Sequence, residues 1–330
     1  MSVKSVLVSQ TTYPLHYPTV TQQPLSKLQP NDVAIRLLYA PINPADINMI
    51  EGRYIVKPDL PFTPGNEAVG IITDCGAHID RKTINKHVIF PFQQQHNWQG
   101  FWREKMHYPF TDCIIVPHHI DPKQASMLSI NALTALVMLT QYGSLQPNDW
   151  VIQNLANSCL GRWVIYIAKQ LNLQTINIVR RPELIDELQQ IGATAVILDS
   201  PSFSANITQK GLCKLALNGV GGHSAKEVAK CLTTNGTLVT YGAMAKEPIT
   251  ISNSLFIFKN IIATGFNRTT WVHTVSKQTV QQLYQQLFKW LKHTPFEVPI
   301  DDIYQLNDIT AAIKKAQQPG LNGKVLLSLT

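Results

Sequence analysis

The apolar and polar positions of this chain fall into two textures. Up to about Pro117 the apolar segments are short (3–8, 33–38, 68–73, 87–91 and 113–116), and Pro, Gly, Asn and Asp separate them. That spacing predicts a strand-rich, barrel-like region. Residues 3–8 alternate in the manner of a first strand. Between Lys123 and Phe266 the texture changes to strands alternating with helices. Strands are predicted at 150–154, 175–179, 195–198, 215–218, 237–241 and 261–264, with helices at 123–142, 161–171, 182–191 and 224–233. Strand and helix in alternation argue for a doubly wound parallel sheet with helices on its faces. A Gln-rich amphipathic helix over 273–293, a short helix over 309–316 and an apolar strand over 324–329 close the chain. The closing strand has the texture of the first region. The expected domains are therefore 1–122 with 269–330, and 123–268.

Composition narrows the function classes. The 330 residues are 45% hydrophobic and 15% charged, enough apolar material for large cores and too much for disorder. No apolar run approaches the roughly 18 residues that cross a bilayer. A net charge of +7 raises the question of nucleic acid, but no dense Lys/Arg block or zinc-finger pattern accompanies it. Neither a nucleic-acid partner nor a membrane is expected. Five scattered cysteines without a CxxC pair indicate reduced thiols. Residues 1–10 lack the apolar stretch of a signal peptide and the Arg- and Ser-rich character of a transit sequence. The expected setting is cytoplasmic.

Two features carry candidate chemistry. The first strand–turn–helix of the second region runs through Asn154, Asn157, Ser158 and Cys159 to Gly161. Of a GxGxxG fingerprint only that last glycine is present, but a diphosphate at a helix N-terminus would still find small polar donors in Asn157 and Ser158. Arg180 and Arg181 follow the next strand, 19 residues after Gly161. An NAD site has a carboxylate there, whereas two guanidiniums attract a ribose 2′-phosphate. An arginine pair on a solvated strand end would read the same, but position and pairing favour NADPH.

The stretches APINPADINMIEGRY, PGNEAVG, FWRE, VIQNLANS, TINIVRR, ALNGVGG, GTLVTYGAMAK and LFIFKN resemble, over essentially the whole chain, the medium-chain dehydrogenase/reductase superfamily. Within it the likeness is greatest to 2-enoyl thioester reductases of the mitochondrial fatty-acid synthesis type. The resemblance implies a GroES-like β-barrel-type catalytic domain beside a Rossmann domain that binds NADPH. It implies reduction of trans-2-enoyl thioesters carried on CoA or acyl carrier protein, with a quinone or enone reductase as the alternative, and a homodimer joined through the edge of the nucleotide sheet. The apolar segment 255–258 suits such an edge, although a core strand would look the same.

Residue by residue, the resemblance makes Tyr54 the proton donor. It puts Asn131, Asn157, Ser158, Cys159, Leu160, Gly161, Arg180, Arg181, Tyr241, Gly242, Ala243, Met244, Phe266 and Lys324 on the cofactor, and Asn43 and Trp102 on the substrate. For Trp102 a core position under a loop would serve equally well. Zinc-dependent relatives carry Gly-His-Glu where this chain has Gly65-Asn66-Glu67. An amide is a poor substitute for imidazole on Zn²⁺, so no metal is expected. Cys159, Ala243, Asn267 and Arg268 are departures from the family pattern.

Overall fold

The computed structural model describes residues 2–93, 98, 100–209 and 211–330. The chain divides into two compact units, Met1–Ile130 with Thr269–Thr330, and Asn131–Arg268. The first strands are β1 (Ser2–Leu7), β2 (Thr19–Pro24), β3 (Asp32–Pro41), β4 (Val69–Cys75), β5 (His87–Ile89), β6 (Lys105–Pro109) and β7 (Ile114–Val116). The second unit holds β8 (Trp150–Gln153), β9 (Gln174–Val179), β10 (Ala195–Leu198), β11 (Cys213–Asn218), β12 (Leu232–Thr240) and β13 (Ile262–Gly265). The chain then returns to the first unit with β14 (Ile300–Gln305) and β15 (Lys324–Ser328).

In the first unit β1 and β2 form an antiparallel hairpin, and the path β14-β15-β3-β4-β5-β7 forms an open sheet from which β6 branches off β3. The strand-rich unit expected from the sequence is present, and among the described strands its sheet does not close into a barrel. Its longest strand serves three partners. β3 gives residues 32–36 to β6 and 39–41 to β15 on one edge, and pairs β4 along the other. The core beneath is one cluster that includes Ile35, Leu37, Ile72, Phe90, Phe101 and Trp102.

The second unit is a six-stranded parallel sheet in the order β10-β9-β8-β11-β12-β13. The chain builds outward from β8 to β10, then starts again on the other side of β8 with β11. Ligands bind such sheets at this reversal, beyond the carboxyl ends of the strands. Strand periodicity feeds both faces. Ile176 and Ile178 join Val228 and Leu255 in one cluster, and Val179 joins Ile165, Leu184 and Leu188 in another.

Two expected elements differ. Residues 123–142 do not form one helix. A short turn at Pro122–Ala125 is followed by a π-helical turn at Leu128–Ala132 and then the helix Leu133–Gln141. Segment 255–258 lies in the helix Asn253–Lys259, where Leu255 is buried and Phe256, Ile257 and Phe258 are exposed. The sheet edge is β13.

Candidate active site

The first unit buries a polar cluster at the start of the helix Pro44–Ile50. Asp46 is fully buried, and its carboxylate accepts from the Asn43 N–H at 2.7 Å, the Asn66 N–H at 2.9 Å and Asn66 Nδ2 at 2.5 Å. Glu67, also fully buried, accepts from Asn43 Nδ2 at 3.0 Å and from the Ile130 N–H at 2.9 Å. Lys324 Nζ donates to Asn43 Oδ1. The structure thus joins a substrate candidate, Asn43, to a cofactor candidate, Lys324. Burial is the main reason that the Asp46 carboxyl is pushed up to about 6, against the donors around it and the charge of Lys324.

Tyr54 follows that helix. The Arg53 and Tyr54 N–H groups both donate to Asn48 O, at 2.8 and 3.1 Å, which curls the chain back. The ring is half-buried against the core of its unit. Trp102 is a fully buried member of that core, so the core reading describes its position and it lines no open surface of this unit. Asn131 is buried within the π-helical turn. Among the described residues no group of three His, Cys, Asp or Glu is placed to hold a metal ion, and Asn66, where zinc-dependent relatives carry His, has its amide on Asp46.

In the second unit side-chain amides tie the strand ends together. Gln153 Nε2 donates to Gly161 O and Asn177 Oδ1, at 2.9 and 2.7 Å. Asn154 Nδ2 donates to Asn218 Oδ1 and Ser224 Oγ, while its Oδ1 accepts from the Gly219 N–H at 2.8 Å. Asn218 Oδ1 accepts from the Val220 and Gly221 N–H groups. These bonds fix the turns on which a ligand would rest.

Past Asn154 the chain passes through Leu155, whose φ of 56° lies in the left-handed region. Ser158 caps the helix Cys159–Gln170, its Oγ accepting from the Gly161 N–H at 3.0 Å. A Cβ on Gly161 would lie 2.5 Å from Ala156 O, so the tight turn requires glycine. Buried Arg162 donates to Asn157 O at 3.0 Å and pairs with Glu187 at 2.7 Å, bracing the turn from behind.

A cavity of about 180 Å³ opens here. Its wall includes Leu155, Asn157, Arg180, Asp199, Val220 and Met244. Arg180 is exposed and makes no hydrogen bond or ion pair among the described residues. Arg181 is outside the wall and lies 3.7 Å from Glu183. Segment 241–245 runs along the Gly219 turn, with N–H groups of Tyr241, Met244 and Ala245 on the carbonyls of Asn218, Gly219 and Val220. The Tyr241 hydroxyl is buried and has no hydrogen-bond partner among the described residues. It packs so closely that a Cβ on Gly219 would meet it at 2.6 Å. Phe266 donates its N–H to Thr240 O and packs edge-on against Tyr142.

Asn157 to Gly161, Arg180 and Tyr241 to Met244 therefore gather at the sheet reversal. The sequence reading passed over Asp199, Val220 and Asn218. Asp199 was discernible by counting, because it immediately follows a strand on the ligand side of the sheet. A helix N-terminus, a glycine-closed turn, an uncommitted guanidinium and an orphan hydroxyl fit a phosphorylated dinucleotide.

Comparison with known proteins agrees. Residues 29–118 match the alcohol dehydrogenase GroES-like domain, and residues 159–289 match the zinc-binding dehydrogenase family. The enoyl-[acyl-carrier-protein] reductase, mitochondrial, of Dictyostelium discoideum is 35% identical over 311 residues, covering 92% of this chain and 88% of that protein. The Homo sapiens protein of that name is 36% identical over 313 residues, covering 92% and 83%. This chain belongs to the medium-chain dehydrogenase/reductase superfamily.

Among solved structures, the Etr1p complex with NADP and crotonyl-CoA superposes with a TM-score of 0.88 at 29% identity, covering 99% of this chain and 100% of that one. A crystal structure named as an NADPH:quinone reductase from Bacillus thuringiensis gives 0.89 at 27% identity, covering 99% of each. The mitochondrial designation of the enoyl-ACP reductases overturns the cytoplasmic expectation. The five cysteines are buried and none is joined to another in a disulfide.

Proposed function

We propose that this chain uses NADPH to reduce the carbon–carbon double bond of trans-2-enoyl thioesters to the saturated acyl thioester. The observation that carries this reading is the continuity of its likeness to enoyl reductases, which spans both units rather than the nucleotide unit alone. Arg180 and Arg181 take the 2′-phosphate. Asn157, Ser158, Cys159, Leu160 and Gly161 hold the diphosphate, and Tyr241, Gly242, Ala243, Met244 and Phe266 flank the nicotinamide, with Asn131 and Lys324 as further contacts. Bound NADPH supplies a hydride for the β-carbon. A phenol ordinarily keeps its proton at pH 7, and that of Tyr54 gives the α-carbon its proton. Asn43, braced by Lys324 and Glu67, faces the thioester substrate, and Trp102 supports it from the core.

A second reading, a quinone or enone reductase, is favoured by the Bacillus thuringiensis neighbour. NADPH oxidation assayed across trans-2-enoyl-CoA chain lengths, beside a small quinone, separates the two. Turnover on the enoyl-CoA series is expected to exceed that on the quinone, and the reverse order would overturn the assignment. The reading includes a homodimer paired along β13. Support comes from the exposure of that edge strand and of Phe256, Ile257 and Phe258 near it.

A further inference from the structure

The register of the nucleotide sheet sets a carboxylate beside the arginine of the phosphate site. β9 and β10 run parallel with Leu198 opposite Val179, so Asp199 and Arg180 leave the sheet as neighbours. The Asp199 N–H donates to Val179 O at 2.7 Å, which fixes the backbone at that point. Both side chains line the 180 Å³ cavity. From the helix Gly222–Lys230, His223 Nε2 hydrogen-bonds Pro201 O and ties down the loop that follows Asp199. The Asp199 carboxylate is attracted by Arg180 and His223, and burial is the larger influence, raising its pKa above the usual carboxylate value. The acid that an NAD site carries at the end of its second strand is thus found here at the end of the third.

We infer that Asp199 is a specificity-determining residue: a resident anion on the ground that the ribose 2′-phosphate must enter, it sets the margin by which NADPH is preferred to NADH. The inference rests on the NADPH reading given above. The 2′-phosphate is a multiply charged anion drawn to Arg180, and Asp199 opposes it across the same small cavity. A unit charge opposing another at about 4 Å in water weakens binding by about five-fold. NADH presents a hydroxyl at that position, which a carboxylate accepts as a hydrogen-bond donor. Asp199 therefore narrows the preference from both sides, while Arg180 widens it.

The test titrates NADPH and NADH, by nucleotide fluorescence, into the wild-type chain, Asp199→Asn and Asp199→Glu. Asp199→Asn is isosteric and removes the charge. It is expected to tighten NADPH by about five-fold without tightening NADH, so that the ratio of the two Kd values widens. Asp199→Glu keeps the charge and is expected to keep the wild-type ratio. An unchanged or narrowed ratio in Asp199→Asn would overturn the inference while wild-type preference for NADPH stood. Loss of that preference in the wild-type chain would instead overturn the cofactor reading beneath it.

Discussion

Around Asp46 the acceptors have been given donors from within their own unit. The carboxylates of Asp46 and Glu67 take five hydrogen bonds from Asn43, Asn66 and Ile130, and Lys324 closes the cluster through Asn43. Around Arg180 the guanidinium makes no ion pair among the described residues, and the Tyr241 hydroxyl is buried without a partner. A buried group left unsatisfied costs about 1–3 kcal/mol, which applies to the Tyr241 hydroxyl, whereas the exposed Arg180 guanidinium is open to an incoming anion. The first cluster is a finished scaffold, and its strength is read in unfolding. The second is unfinished, and its strength is read in ligand affinity.

The largest effect that would sharpen this contrast is on turnover. Tyr54→Phe is expected to lower enoyl-CoA turnover by roughly 10²–10⁴ while leaving the NADPH Kd unchanged. Full turnover in this variant would remove Tyr54 from the chemistry. Next is affinity. Replacing Arg180 and Arg181 together by Ala is expected to weaken NADPH by about 10²–10⁴-fold, the worth of two charge-assisted bonds, and NADH only slightly. Arg180→Ala alone is expected to account for most of it, because Arg181 lies near Glu183. Equal loss for both nucleotides would break the contrast.

The last effect, similar in free energy to the second, is on stability, and it belongs to the scaffold. Burial raises the Asp46 pKa from 3.8 to about 6, so the folded state holds this proton more tightly than the unfolded one. The resulting stabilisation is complete below about pH 4 and is lost as pH rises through about 6. It amounts to about 3 kcal/mol over that window. Urea unfolding across the window reads it, and Asp46→Asn is expected to remove that slope.

Much of the fold was legible because periodicity is local. The strands of the nucleotide unit and the helix Ile309–Ala316 follow from alternation and helical spacing alone. What escaped was set by partners distant in sequence. The break in the expected helix over 123–142 falls where the Ile130 N–H bonds to Glu67, and no local pattern announces that carboxylate. Segment 255–258 has the composition of a strand, yet Ser252 accepts from the Ser254 N–H as a helix cap and Asn260 ends the helix in a left-handed turn. The branched sheet of the first unit depends on how one long strand divides its edge between two partners, which alternation does not encode. At the candidate site, strand ends and the arginine pair were readable. Trp102 was ambiguous because an aromatic residue serves a core or a cleft equally well.

Leu155 bends into a conformation that glycine would adopt more easily. The distortion costs about 1–2 kcal/mol. Leu155 forms part of the cavity wall. The backbone at this corner therefore carries a left-handed residue as part of the surface on which a nucleotide would rest.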